Sequence, residues 1–147
     1  MRLSERELSL LLPGAAVMEK KQRKKPAHIE HDEQVIFFNK VDLFARICPE
    51  MLNITAIPNG GYRPWSVAKM LKSEGVKAGY PDILVDLARH GFHGMRIEMK
   101  TPGEKPKPDQ VEWHKRLKTA GYYVVVCFSG DEAWNALCDY MGIKERG

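Results

Sequence analysis

The sequence predicts an α/β protein, and three observations carry that expectation. Short runs rich in Ile, Leu, Val and Met recur at Asp82–Leu87, Met95–Lys100 and Tyr122–Phe128, each of strand length. Longer segments with helical spacing of apolar residues surround them, at His28–Ile47, Trp65–Ser73, Asp109–Ala120 and from Ser129 or Asp131 to about Met141. From Asp82 onward the order is strand, strand, helix, strand, helix, and the chain carries no internal repeat.

Each element has its own signal. Ser4 followed by Glu7 forms a capping pair that predicts a short helix over Ser4–Leu12. In His28–Ile47, the apolar residues Ile29, Val35, Ile36, Phe37, Phe38, Val41, Leu43, Phe44 and Ile47 suit a long helix with a wide buried face, with Pro49 as its stop. Met51–Ile57 is short and β-branched enough for a strand, and Pro58-Asn59-Gly60-Gly61 is a turn. Gly75 ends the Trp65–Ser73 helix. Residues 89–94, Arg-His-Gly-Phe-His-Gly, make a hairpin-like connection that leaves His90 and His93 exposed. Thr101–Pro108, with three prolines, a glycine and two lysines, is a loop, and Gly121 caps the helix that follows. The continuous apolar run Tyr122–Phe128 suits a strand buried on both faces. Trp65, Trp113 and Trp134 fall on helical patterns and read as core anchors, although Tyr62, Arg63 and Trp65 could instead meet DNA.

Composition narrows the class. The 147 residues are 44% hydrophobic and 29% charged, as in a globular domain. The organisation read is a basic arm over residues 1–27 and one domain over 28–147. No apolar stretch is long enough to cross a bilayer. Leu8–Val17 is broken by Pro13-Gly14 and preceded by Arg2, Glu5, Arg6 and Glu7, which makes a poor signal sequence. Cys48, Cys127 and Cys138 lack zinc spacing and read as reduced thiols, so a cytoplasmic location is expected. The five histidines form no closed zinc set with them. The net charge of +4 is concentrated in Lys20, Lys21, Arg23, Lys24 and Lys25, a window that is either a solvated arm or a phosphate-contacting one.

The chemistry lies in Gly79-Tyr80-Pro81-Asp82 and, sixteen residues past Asp82, Glu98-Met99-Lys100. On a strand Glu98 and Lys100 share a face, because side chains alternate. If Asp82 opens the adjacent strand, two carboxylates and an ammonium meet in one patch. With the Met99 backbone carbonyl, that set can hold a hard divalent cation beside a phosphate. Gln110 opens the next helix and can fold back over the strand end, or serve only as helix-start polarity. Glu30 lies four positions before Gln34 on one helix face, with Glu33 as the competing acid, and a solvated acidic helix start is the plain alternative. Lys105 and Lys107 sit in the loop beside the patch, where solvation and phosphate contact compete.

An E-x-K pattern alone is uninformative, but the whole order is specific. A helix with Glu30 and Gln34, then Gly79-Tyr80-Pro81-Asp82, Ile97-Glu98-Met99-Lys100, and Gln110 with Trp113, Leu117 and Gly121, resembles the VRR-NUC domain of the PD-(D/E)XK nuclease superfamily. Ile57–Arg63 and Glu74–Gly79 also look like segments of its stand-alone bacterial and phage members, and the resemblance covers residues 28 to 128. It implies a restriction-endonuclease-like fold, a central mixed β-sheet flanked by α-helices, and Mg2+- or Mn2+-dependent cleavage of DNA phosphodiesters. It further implies that Asp82, Glu98 and the Met99 carbonyl bind metal, and that Lys100 activates water or steadies the transition state. Gln110 and Glu30 would support them. Lys20, Lys21, Arg23, Lys24, Lys25, Arg63, Lys105 and Lys107 are the expected DNA contacts. Stand-alone members imply a homodimer acting on branched DNA such as four-way junctions. Rival readings are a non-catalytic DNA-binding module of the same fold, a hydrolase directed at RNA or nucleotides, and a sequence-specific restriction enzyme, for which no added recognition domain is visible.

Overall fold

The computed structural model describes residues 26–58 and 62–144. The predicted Ser4–Leu12 helix and the cationic window Lys20–Lys25 lie outside them. The chain begins with helix α1 (Pro26–Phe44), then a 3-10 turn (Pro49–Asn53), strand β1 (Ile54–Ala56) and helix α2 (Trp65–Ser73). Strands β2 (Ile83–Val85) and β3 (Met95–Met99) follow, then α3 (Pro108–Thr119), β4 (Tyr123–Cys127) and α4 (Gly130–Met141).

The strands form one mixed sheet in the order β1-β2-β3-β4. β2 pairs antiparallel with both β1 and β3, placing Ile83 opposite Ala56 on one side and Ile97 on the other. β3 runs parallel to β4, with Met99 opposite Cys127, and α3 makes the crossover that a parallel pair requires. This is the mixed α/β architecture expected.

All five residues of β3 are buried, but its two faces differ in chemistry. Met95, Ile97 and Met99 join Phe37 and Val41 of α1 and Trp134 and Leu137 of α4 in the apolar core. Each such side chain contributes about 1.5–3 kcal/mol by leaving water. The alternate residues Arg96, Glu98 and Lys100 point the other way and are also buried. The core thus anchors one side of a strand whose other side is ionic.

Several details correct the sequence reading. α1 ends at Phe44, not at Ile47, and Pro49 opens the 3-10 turn rather than stopping the helix. Its buried stripe is narrow: Phe37 and Val41 are enclosed, while Val35, Ile36 and Leu43 are exposed, because α4, the 3-10 turn and the sheet cover one side of it. The Met51–Ile57 run splits between the 3-10 turn and a three-residue strand. β4 is an edge strand with only Val124 and Cys127 buried; the strand enclosed on both faces is β3, which has a neighbour on each side. Trp65 is exposed, not a core anchor, because no element packs over α2 closely enough to bury any of its residues. Trp134 is buried in the core, and Ser129 caps α4, its Oγ accepting from the Glu132 N–H at 3.0 Å.

Candidate active site

The ionic face of β3 meets the start of β2, the first turns of α3 and the N-terminal part of α1. Asp82 immediately precedes β2, where Pro81 is fully buried and fixes the approach. Its Oδ2 accepts the Met99 N–H at 2.8 Å, so the acid is tied to the neighbouring strand. Upstream, Gly79 holds φ +84°, and a Cβ there would come within 2.8 Å of the Asp109 backbone; the Gly-Tyr-Pro-Asp turn and the start of α3 therefore touch.

Glu98 is the centre of the arrangement. Lys100 Nζ stands 3.5 Å from Glu98 Oε1, as expected for residues one pleat apart on the same face. The Gln110 side-chain amide donates to the same Oε1, while the Gln110 Oε1 accepts the Lys107 N–H at 2.8 Å. Gln110 thus fills both of the roles that its position allowed: it caps α3 and it holds Glu98. Glu30 accepts the Thr101 N–H at 3.2 Å through Oε1, which lies 4.0 Å from Lys100 Nζ. Glu33 instead accepts the Gly130 N–H at 2.6 Å, at the N-terminus of α4. Of the two competing acids, only Glu30 reaches the cluster.

Electrostatics make the cluster costly as it stands. Burial, chiefly, and then the nearby Asp82 charge push the Glu98 carboxyl up to about 8 from an ordinary 4.5, against the opposing pull of Lys100. Burial also raises Asp82, although the Met99 N–H offsets part of the effect. Glu98 Oε2 is buried without a hydrogen-bond partner. So is His114 Nε2, 3.7 Å away, and burial lowers the proton affinity of that imidazole.

The donor set suits a hard divalent cation. Two buried acids of raised proton affinity and an orphaned carboxylate oxygen would all be relieved by one. Among the described residues no three His, Cys, Asp or Glu side chains are placed to hold a metal ion, so backbone oxygen, water and phosphate would have to complete the shell. Mg2+ accepts such incomplete cages, keeping several waters and binding through one or two carboxylates plus phosphate.

Other expected residues stand apart. Lys105 and Lys107 are exposed in the loop before α3. Arg63 is half-buried and bonds the Pro58 carbonyl, while the turn expected at residues 58–61 lies outside the described residues from 59 to 61. The sequence reading missed His114, whose signal was present: it lies four positions after Gln110, hence on the same helix face. It also missed Arg96, two residues before Glu98. The Arg96 Nε donates to the Tyr80 hydroxyl at 3.1 Å, its guanidinium lies 4.3 Å from the Tyr122 ring centroid, and it pairs with Asp86 at 3.3 Å. Tyr80 in turn packs edge-on against Trp113, which bonds the Ala78 carbonyl.

The chain is similar to known proteins. A solved structure described as a "VRR_NUC domain protein" superposes with a TM-score of 0.65 at 29% identity, covering 78% of this chain and 89% of that one. A phage protein described as "Putative nuclease p44", from Acyrthosiphon pisum secondary endosymbiont phage 1, is 42% identical over 55 residues. That match takes in 37% of this chain and 57% of the phage protein's length. The VRR-NUC domain family matches residues 19–131, which include all of Asp82, Glu98, Lys100 and Gln110. With the mixed sheet and the acidic centre in place, the chain belongs to the VRR-NUC family and carries a nuclease domain of the restriction-endonuclease-like fold.

Proposed function

We propose that this protein is a divalent-metal-dependent endonuclease that hydrolyses DNA phosphodiesters, selects branched DNA such as four-way junctions, and acts as a homodimer. The observation that carries the catalytic part is the convergence of Asp82, Glu98 and Lys100 on adjoining strand ends, with two carboxyls held at raised proton affinity. A plain cation store would gain nothing from an ammonium at that point.

Asp82, Glu98 and the Met99 carbonyl would hold Mg2+ or Mn2+. When bound, such an ion polarises the phosphate and lowers the pKa of water. Lys100 opposes the charge that grows on the phosphoryl oxygens as water adds to phosphorus and the bridging P–O bond breaks. Gln110 fixes the Glu98 carboxylate, and Glu30 orients the Thr101 backbone beside Lys100. Lys105, Lys107, Arg63 and the cations from Lys20 to Lys25 contact phosphates. Paired sites would suit a substrate that needs two incisions.

The test is incubation with linear, flap, splayed and four-way DNAs, with and without Mg2+ or Mn2+, alongside a mass measurement in solution. Metal-dependent cleavage strongest on the branched DNAs is expected, together with the mass of a dimer. No cleavage of any substrate in the panel would overturn the proposal. Asp82→Ala and Lys100→Ala should each lower cleavage by about a hundredfold or more while sparing DNA binding.

A further inference from the structure

We infer that α2 and the tyrosine before it form a stacking platform for unpaired nucleotides of a DNA strand, next to the phosphodiester that is cut. The inference rests on the nuclease reading above and names a second contact for the same substrate.

None of the residues of α2 is buried, although the helix carries Trp65, Val67 and Met70. Trp65 is 77% exposed and Tyr62 is 96% exposed. Tyr62, Trp65, Val67 and Met70 are all exposed within nine residues, and a run of exposed apolar side chains, unlike a single one, marks an interaction surface. The same stretch carries Arg63, Lys69, Lys72 and Lys77 against a single acid, Glu74. Lys69 Nζ lies 5.1 Å from the centroid of the Trp65 ring, so a cation already stands beside the aromatic surface.

The excursion that bears this patch is rooted at the active site on both sides. Where it leaves, the Ile57 N–H donates to the Asp82 carbonyl at 2.8 Å. Where it returns, Trp113 holds the Ala78 carbonyl at 3.0 Å and Gly79 abuts Asp109. The next residues are Tyr80, Pro81 and Asp82. Tyr62 follows Ile57 by five residues, at most about 18 Å of chain, so this surface is within reach of a strand threaded across Asp82 and Glu98.

Composition selects the occupant. The cores of protein–protein interfaces are depleted of lysine, whereas grooves for single strands interleave aromatic rings with cations. Duplex DNA hides its base faces in the stack, so rings of this kind gain most from nucleotides that are unpaired, as at a branch point.

The experiment uses the full chain with Lys100→Ala, to prevent cutting, in Mg2+ at fixed salt. Fluorescence anisotropy measures binding of a short oligo-dT and of a blunt hairpin duplex, with and without Tyr62→Ala and Trp65→Ala. Both residues are exposed, so the melting temperature should not move. The pair of changes should weaken oligo-dT binding by on the order of tenfold or more, leave duplex binding unchanged, and remove quenching of tryptophan emission on strand binding. Unchanged oligo-dT affinity would overturn the inference. So would an equal loss on both DNAs, which would make the patch a general polyanion contact. A fall in solution mass without a loss of strand affinity would also overturn it, assigning the patch to a second copy of the chain. Cleavage by the Lys100 protein is scored separately: its absence, with strand selectivity retained, overturns the nuclease reading and supports the platform.

Discussion

Burial and the nearby Asp82 charge resist ionisation of Glu98, and the consequence can be measured without metal. Its carboxyl titrates at about 8 in the fold against 4.5 ordinarily, so between those values the folded chain binds more protons than the unfolded chain. Its contribution is therefore most favourable below pH 4.5 and declines as pH rises toward about 8. Urea unfolding in EDTA should show stability falling across that window, and Glu98→Gln should flatten the slope. Divalent ions must displace the same proton, so Mn2+ affinity should rise by up to about tenfold per pH unit below the titration point, by calorimetry. His114 belongs to the same scale. Its Nε2 stands 3.7 Å from the unpartnered Glu98 Oε2, the position of an outer-shell partner that orients a ligand. His114→Phe should weaken Mn2+ binding by about tenfold, and His114→Gln, which offers an amide donor, should restore much of it. If both variants bind Mn2+ like the parent, His114 only packs. The acids and Lys100 were legible because turn chemistry and strand alternation bring them together over short separations. The choice of Glu30 over Glu33 was not, since it depends on Thr101 and Gly130, residues far from either in sequence.

At the scale of elements, contacts between ends position the site. Gly130 opens α4 directly against α1: a Cβ there would lie 2.4 Å from the Glu33 carbonyl oxygen and 2.9 Å from Ile36 Cβ. Backbone offers no easy relief, so Gly130→Ala should cost about 2 kcal/mol or more of stability and shift α1, which carries Glu30. Urea midpoints and Mn2+ affinity should fall together; an unchanged midpoint would show that α1 and α4 can separate at no cost. Helix α2 was read from sequence to the residue because Pro64 and Gly75 bracket it. The end of α1 was not, because the apolar spacing continues through Ile47 while the chain turns at Ala45–Cys48. The burial of β4 was misread for a related reason. An apolar run reports propensity, but edge or interior is set by which strands pair, and β4 falls at the edge while β2 and β3 lie inside.

Over the whole molecule, the mixed sheet and the helices flanking it were expected from the resemblance carried by a handful of motif residues, whereas the strand order β1-β2-β3-β4 came only with the structure; the solved VRR-NUC structure shares that fold over most of both chains. The Lys100 N–H donates to the Cys127 carbonyl at 2.9 Å, and the Glu33 carboxylate waits for the Gly130 N–H. A chain truncated after Gly121 would keep every proposed catalytic side chain yet lose β4 and α4. It should show no metal-induced rise in melting temperature and no cleavage; activity in that fragment would mean that the site closes without them. The same dependence sets an order in time. A ribosome adds Glu30, Asp82, Glu98, Lys100 and Gln110 before β4, which pairs with β3, so on the proposed reading an unfinished chain would hold all the reactive groups and no closed centre. A cell making such a nuclease would be shielded from cutting until synthesis had passed the last strand.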